Sequence, residues 1–103
     1  MSNYLLLYHG GSMPETQEET AQVMAAWTTW FGALDGAVID QGNPSGPSKT
    51  IAANGTVSAA ESGPSGYSII KADSLDAAVA LAKGCPVLQG GASVQVVETF
   101  DVM

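Results

Sequence analysis

The chain has 103 residues, 46% of them hydrophobic and 13% charged, which suits one globular domain with a modest core and excludes a disordered or coiled-coil composition. Its formal net charge is −7, with Lys49, Lys71 and Lys83 as the only cations. No nucleic-acid partner is therefore expected, because phosphate neutralisation needs clustered cations, and the absence of Arg argues against forked recognition of phosphate or carboxylate substrates. Cys85 is the single cysteine, so no disulfide framework or Cys-rich metal site forms within one chain.

The first element expected is a strand over Asn3–His9, closed by Gly10-Gly11. Tyr4, Leu6 and Tyr8 alternate onto one face, and Leu5 and Leu7 onto the other. Both faces are apolar, so burial on both sides is predicted. The run Tyr4–Tyr8 is too short for a signal-peptide core and has no basic lead-in. No stretch is long enough to span a membrane, and a cytoplasmic protein is expected.

A helix follows, with two capping boxes competing for its start, Ser12-x-x-Glu15 and Thr16-x-x-Glu19. Thr20, Met24, Trp27, Phe31 and Leu34 recur at three- and four-residue spacing and mark its buried stripe, ended by Gly36. On this reading Trp27 belongs to the core, and Trp30 is the tryptophan free to line a pocket or an interface.

Ala37–Gln41 reads as a short strand, and the breaker-rich run from Gly42 to Pro47 as a loop. Lys49–Ser58 has the pattern of a hairpin centred on Asn54-Gly55, a pair suited to a type I′ turn. After a loop over Glu61–Ser65, Gly66–Ala72 is a strand apolar on both faces. Asp73-Ser74 caps a second helix, whose stripe is Leu75, Ala78, Val79 and Ala82. Gly84 and Pro86 end it, with Cys85 read as a buried, inert thiol. Ser93–Thr99 is the last strand.

The order β-α-β, hairpin insert, β-α-β is the split βαβ pattern of a ferredoxin-like α+β fold in a single domain spanning 1–103. Two helices cover one face of such a sheet. The other, still apolar at the first, third and last strands, calls for a second copy, so a homodimer is expected.

The sequence resembles the YCII-related family over nearly its whole length. The likeness is carried by Tyr4–Gly11, Trp27–Phe31, Gly42-Asn43-Pro44, the run Gly66–Ala78, and Gly84-Cys85-Pro86 with Gly90-Gly91. It implies a dimeric α+β barrel with two sheets face to face. In some members a His–Asp pair is taken as the active site, with its His on the first helix. The matching stretch here, Met24–Trp27, holds no His, although Asp35 lies near the acidic position. Val87 stands where related sequences often carry a His after Cys-Pro. The resemblance implies an architecture rather than a reaction.

If the chain performs chemistry, the topology puts it where the ends of the first two strands meet the starts of the third and fourth core strands. His9 is the only histidine and the natural acid–base candidate at neutral pH. Asp40 ends the second strand, with its backbone expected roughly 10 Å away across one intervening strand. Trp30, Asn43, Gly91 and Ser93 are candidate ligand-binding residues. Gly10-Gly11-Ser12 before a helix is a weak anion-site pattern, set against three following glutamates. Metal-ligand spacing and a nucleophile elbow are both missing, and no cofactor is expected. The reading is a dimeric module that binds a small organic molecule near His9. Its alternatives are an enzyme using His9 as general acid–base on a small polar substrate, with Asp40 as the second catalytic candidate and Asp40 or Asn43 positioning the substrate, and a protein-interaction or accessory module without catalysis.

Overall fold

A computed structural model describes residues 2–11, 15–59 and 63–101. The Ser12 capping box, the Ser12 part of the anion-site pattern and Glu61 lie outside the described residues. Four strands form one antiparallel sheet: β1 (Ser2–His9), β2 (Val38–Asp40), β5 (Gly66–Ala72) and β6 (Ser93–Glu98), in the order β2-β5-β1-β6. β3 (Lys49–Ile51) and β4 (Val57–Ala59) make a separate two-stranded ribbon. With α1 (Gln17–Leu34) and α2 (Leu75–Ala82) as the two connections, this is a ferredoxin-like α+β topology. No helix among the described residues is long and apolar enough to cross a membrane.

The sheet separates its two faces by strict alternation. Tyr4, Leu6 and Tyr8 of β1 and Ser68, Ile70 and Ala72 of β5 are buried under the helices, with Val94 and Val96 packed beside them. Trp30 and Leu34 of α1 and Ala78 and Ala82 of α2 close this layer. On the opposite face, Leu5, Leu7, Tyr67, Ile69 and Val97 are half-buried, with no helix over them. Leu5 stands between Ile69 and Val97, and Leu7 between Tyr67 and Gln95. β6 is less apolar than expected there, because Ser93 and Gln95 are exposed.

Thr16 is the cap of α1, its Oγ1 accepting the Glu19 N–H at 3.0 Å. Glu19 reaches back to the N–H of Glu15 rather than of Thr16, at 2.9 Å. The far end of α1 departs from expectation. The left-handed residue is Asp35, at φ 51° and ψ −124°, and Gly36 sits inside a following 3₁₀ turn over Asp35–Ala37. A non-glycine residue in that conformation costs about 1–3 kcal/mol. Ser74 Oγ caps α2 by accepting the Ala77 N–H. Leu75, expected in the α2 stripe, is 45% exposed because it occupies the first turn, at the margin of the packed layer.

The ribbon turn also differs from the type I′ geometry. Asn54 has no positive φ; Gly55 alone does, at 90°. The Gly55 N–H donates to Ala52 O at 2.8 Å, and the Ala52 N–H to Thr56 O at 2.7 Å. This is a three-residue loop with glycine at the left-handed position. The Asn54 side chain accepts the Thr56 N–H instead of adopting that conformation.

Candidate functional site

The edge strand β2 is broken by a bulge: Val38 pairs with Ile70, and Asp40 already pairs with Ile69. The chain then runs on along β5 in an irregular path. Gly42, at φ 77°, lies so close to β5 that a Cβ would sit 1.6 Å from the Tyr67 carbonyl oxygen. Only glycine fits there. Asp40 Oδ1 accepts the Gly42 N–H at 2.8 Å, and Asn43 O accepts the Tyr67 N–H at 3.2 Å. Pro44 forms a bridge with Gly66. The segment is thereby held as a wall opposite α1.

Between that wall and α1 lies a cleft of about 280 Å³. Tyr8, Trp27 and Phe31 form its aromatic side, and Gln41–Pro44 with Gly66–Ser68 its polar side. The rings support each other: Tyr8 and Trp27 meet edge to face at 5.5 Å between centroids, and Trp27 lies 5.5 Å from Phe31. A second hollow, lined by Thr28, Gly32, Asp35 and Val38, shares Met24, Trp27, Phe31 and Gln41 with the first. Met24, 61% exposed, stands at the boundary.

The floor of the cleft is a satisfied hydrogen-bond chain. The Tyr8 hydroxyl donates to Ser68 Oγ at 2.7 Å, and Ser68 Oγ donates to Gln41 O at 2.7 Å. Ser68 is fully buried, so this chain removes what would be an unpaired polar group beneath the site. Burial pushes the Tyr8 phenol well above its ordinary value, and burial also raises the Cys85 thiol. Both stay protonated at neutral pH. Apart from the phenols of Tyr8 and Tyr67, no residue lining the cleft has an ionisable side chain.

Of the residues expected at the site, Asn43 lines this cleft. Trp30 does not: it is 7% exposed, its Nε1–H donates to Leu81 O at 3.2 Å, and Gly84 packs against its indole. The two tryptophans exchange the roles expected of them, and Trp27 is the one that reaches the cleft. Three-residue spacing leaves them about 60° apart on the helix, so a small rotation of α1 decides which is covered.

His9 is on the other face of the sheet from Tyr8. It registers with Ser93, and its Nε2 lies 3.3 Å from Gln95 Oε1 on the open side. Asp40 is not level with it. Asp40 pairs with Ile69, which pairs with Leu5, four residues before His9. Two strand spacings and that rise separate the backbones by about 17 Å rather than 10 Å. The Asp40 carboxylate is engaged with the Gly42 N–H instead. Gly91, at φ 84°, ends the 3₁₀ turn Pro86–Gly90, and neither it nor Ser93 lines the cleft. The signal for Tyr8 was present in the alternation of β1, which puts Tyr8 with Tyr4 and Leu6 under the helices and His9 with Leu5 and Leu7. The wall at Gln41–Pro44 carried no such signal, because its position depends on the bulge. Comparison with protein-family models and with curated proteins returns no match.

Proposed function

We propose that the protein binds a small, uncharged and largely flat organic molecule in the cleft between α1 and the Gln41–Pro44 wall, and that it does so as a homodimer. The observation that carries the ligand reading is the lining. Three aromatic rings face backbone and amide groups across about 280 Å³, near the lower end of the roughly 300–1,000 Å³ typical of small-molecule sites. A charged ligand would find no counter-charge on these walls, and an anion would also meet the field of a chain with net charge −7.

Homodimerisation is supported by the open sheet face and by surface area. A folded monomer of this mass exposes about 5,400 Å², whereas this chain exposes 7162 Å². The four strands hold two acidic residues among those described. Glu98 lies opposite Tyr4 on the helix side and accepts its hydroxyl, and Asp40 sits at the margin of the open face. The face is thus a place where two acidic molecules meet with little repulsion. Membership in the YCII-related family belongs to the same proposal, supported by the strand order. So does a reducing, cytoplasmic setting, which suits a single buried thiol.

The test is a ligand screen followed by isothermal titration calorimetry. Indole and benzyl alcohol are expected to bind with a saturable heat, benzoate and benzylamine at least tenfold more weakly. Trp27→Ala should abolish binding of the neutral probes while the protein stays folded. Equal binding by the variant, or preference for the charged probes, would remove the cleft as the site.

A further inference from the structure

Among the described residues, the β3–β4 ribbon packs on no other element of its own chain. Every residue from Asn43 to Ala59 is exposed. Two strands of three residues joined by a tight loop have no independent stability in water. Ile51 and Val57 stand directly opposite each other across the ribbon, 69% and 56% exposed. Such an apolar cross-strand pair, presented outward on a projecting arm, is costly unless something covers it. The dimensions agree with a projection. A compact chain of this length has a radius of gyration of about 13 Å, and this one has 15.1 Å.

We infer that the ribbon is a dimer arm, which clasps the body of a second copy of this chain through Ile51 and Val57. The inference rests on the homodimer proposed above. Two quantities select a second copy as the occupant. The first is area. The open face, with strands of three, seven, eight and six residues, offers about 380 Å² of sheet at normal strand spacings, and a stable interface takes about 800 Å² from each partner. Among the described residues, the run Asn43–Ala59 that carries the ribbon is the longest wholly exposed segment available to supply the remainder. The second is charge. Lys49 is the only charged residue between Asn43 and Ala59, so the arm is cationic while the rest of the chain carries the whole negative excess. The body of an identical copy is therefore an acidic surface complementary to the arm. In a two-fold dimer each chain gives one arm and receives one, which makes the contact twice with one piece of sequence.

The experiment is sedimentation velocity over a dilution series of the intact wild-type chain, the double variant Ile51→Ser/Val57→Ser, and Lys49→Glu. All three positions are exposed, and far-UV circular dichroism of each variant checks that it keeps its fold. The double variant is expected to raise the dimer dissociation constant at least tenfold. Lys49→Glu should raise it severalfold in low salt, with the difference shrinking in 0.5 M NaCl. Amide exchange at Ala52 and Gly55 should slow as wild-type concentration rises through the dissociation constant. A wild-type dimer whose affinity the double variant leaves within twofold would overturn the arm while leaving the dimer standing. A wild-type chain that stays monomeric at 100 µM would overturn both.

Discussion

Tyr8 and His9 are neighbours in sequence and belong to different surfaces. Tyr8 points under α1, where its hydroxyl is tied through Ser68 to the backbone of Gln41 and its ring supports Trp27. His9 points to the bare side of the sheet, where its contact is the exposed Gln95. One side has interlocked rings, buried hydroxyls and a shaped hollow; the other is flat, apolar and uncovered. A single step along a strand separates the cleft proposed to hold a ligand from the face proposed for association, because side chains alternate with a period of two. The histidine is on the flat side, and the cleft is lined by aromatic rings, amides and backbone groups.

That contrast can be broken by substitution. The largest effect is expected on the helix side: Trp30→Ala should cost about 3–5 kcal/mol of stability, since it empties a packed site and removes the indole donor to the Leu81 carbonyl, which keeps the Gly84 N–H. Denaturant titration checks it, and a loss below 1 kcal/mol would show that Trp30 is not the core tryptophan. Gly42→Ala follows, at about 3 kcal/mol, because the new methyl collides with backbone that cannot yield. It should also weaken binding in the cleft by moving the wall.

A pH series sharpens the same comparison with a smaller effect. The Tyr8 phenol is raised above its ordinary value of 10.0 by burial, so the unfolded state ionises first. Its contribution to stability is complete below pH 10 and declines as pH rises above it, while the folded phenol still holds its proton. Tyr4 shifts in the same direction, chiefly through burial. Urea midpoints should therefore fall between pH 9.5 and 11, and Tyr8→Phe should flatten the decline at a cost of about 1 kcal/mol near neutrality. The smallest effect belongs to His9→Ala. It should change monomer stability by less than about 0.5 kcal/mol and leave probe binding in the cleft unaltered. A tenfold loss of binding would restore His9 to the site.

The element order and the two-sided apolar character of β1 and β5 were legible in the sequence, because alternation and helical spacing are local properties. The buried thiol of Cys85 was legible too, from its place after a helix end. What escaped depended on distances longer than a turn. Trp27 and Trp30 differ by a rotation of α1 that only its packing against Leu81 and Gly84 decides. The separation of His9 from Asp40 follows from register, and a bulge between Val38 and Asp40 moves register without any mark in composition. The stop at Asp35 rather than Gly36 places strain on a residue that the glycine beside it would have accommodated. Asn43 was found among the breaker residues, but the wall it belongs to is set by the contact of Gly42 with the Tyr67 carbonyl.

The central claim is that small molecules bind on the Tyr8 side of the sheet and not on the His9 side. An ¹H–¹⁵N correlation spectrum recorded during titration with indole tests it most directly. The account predicts shifts at the Trp27 indole N–H and at the amides of Gly42, Asn43, Tyr67 and Ser68, with His9 and Gln95 unmoved. Shifts centred on His9, Ser93 and Gln95, with the Trp27 indole unmoved, would contradict it.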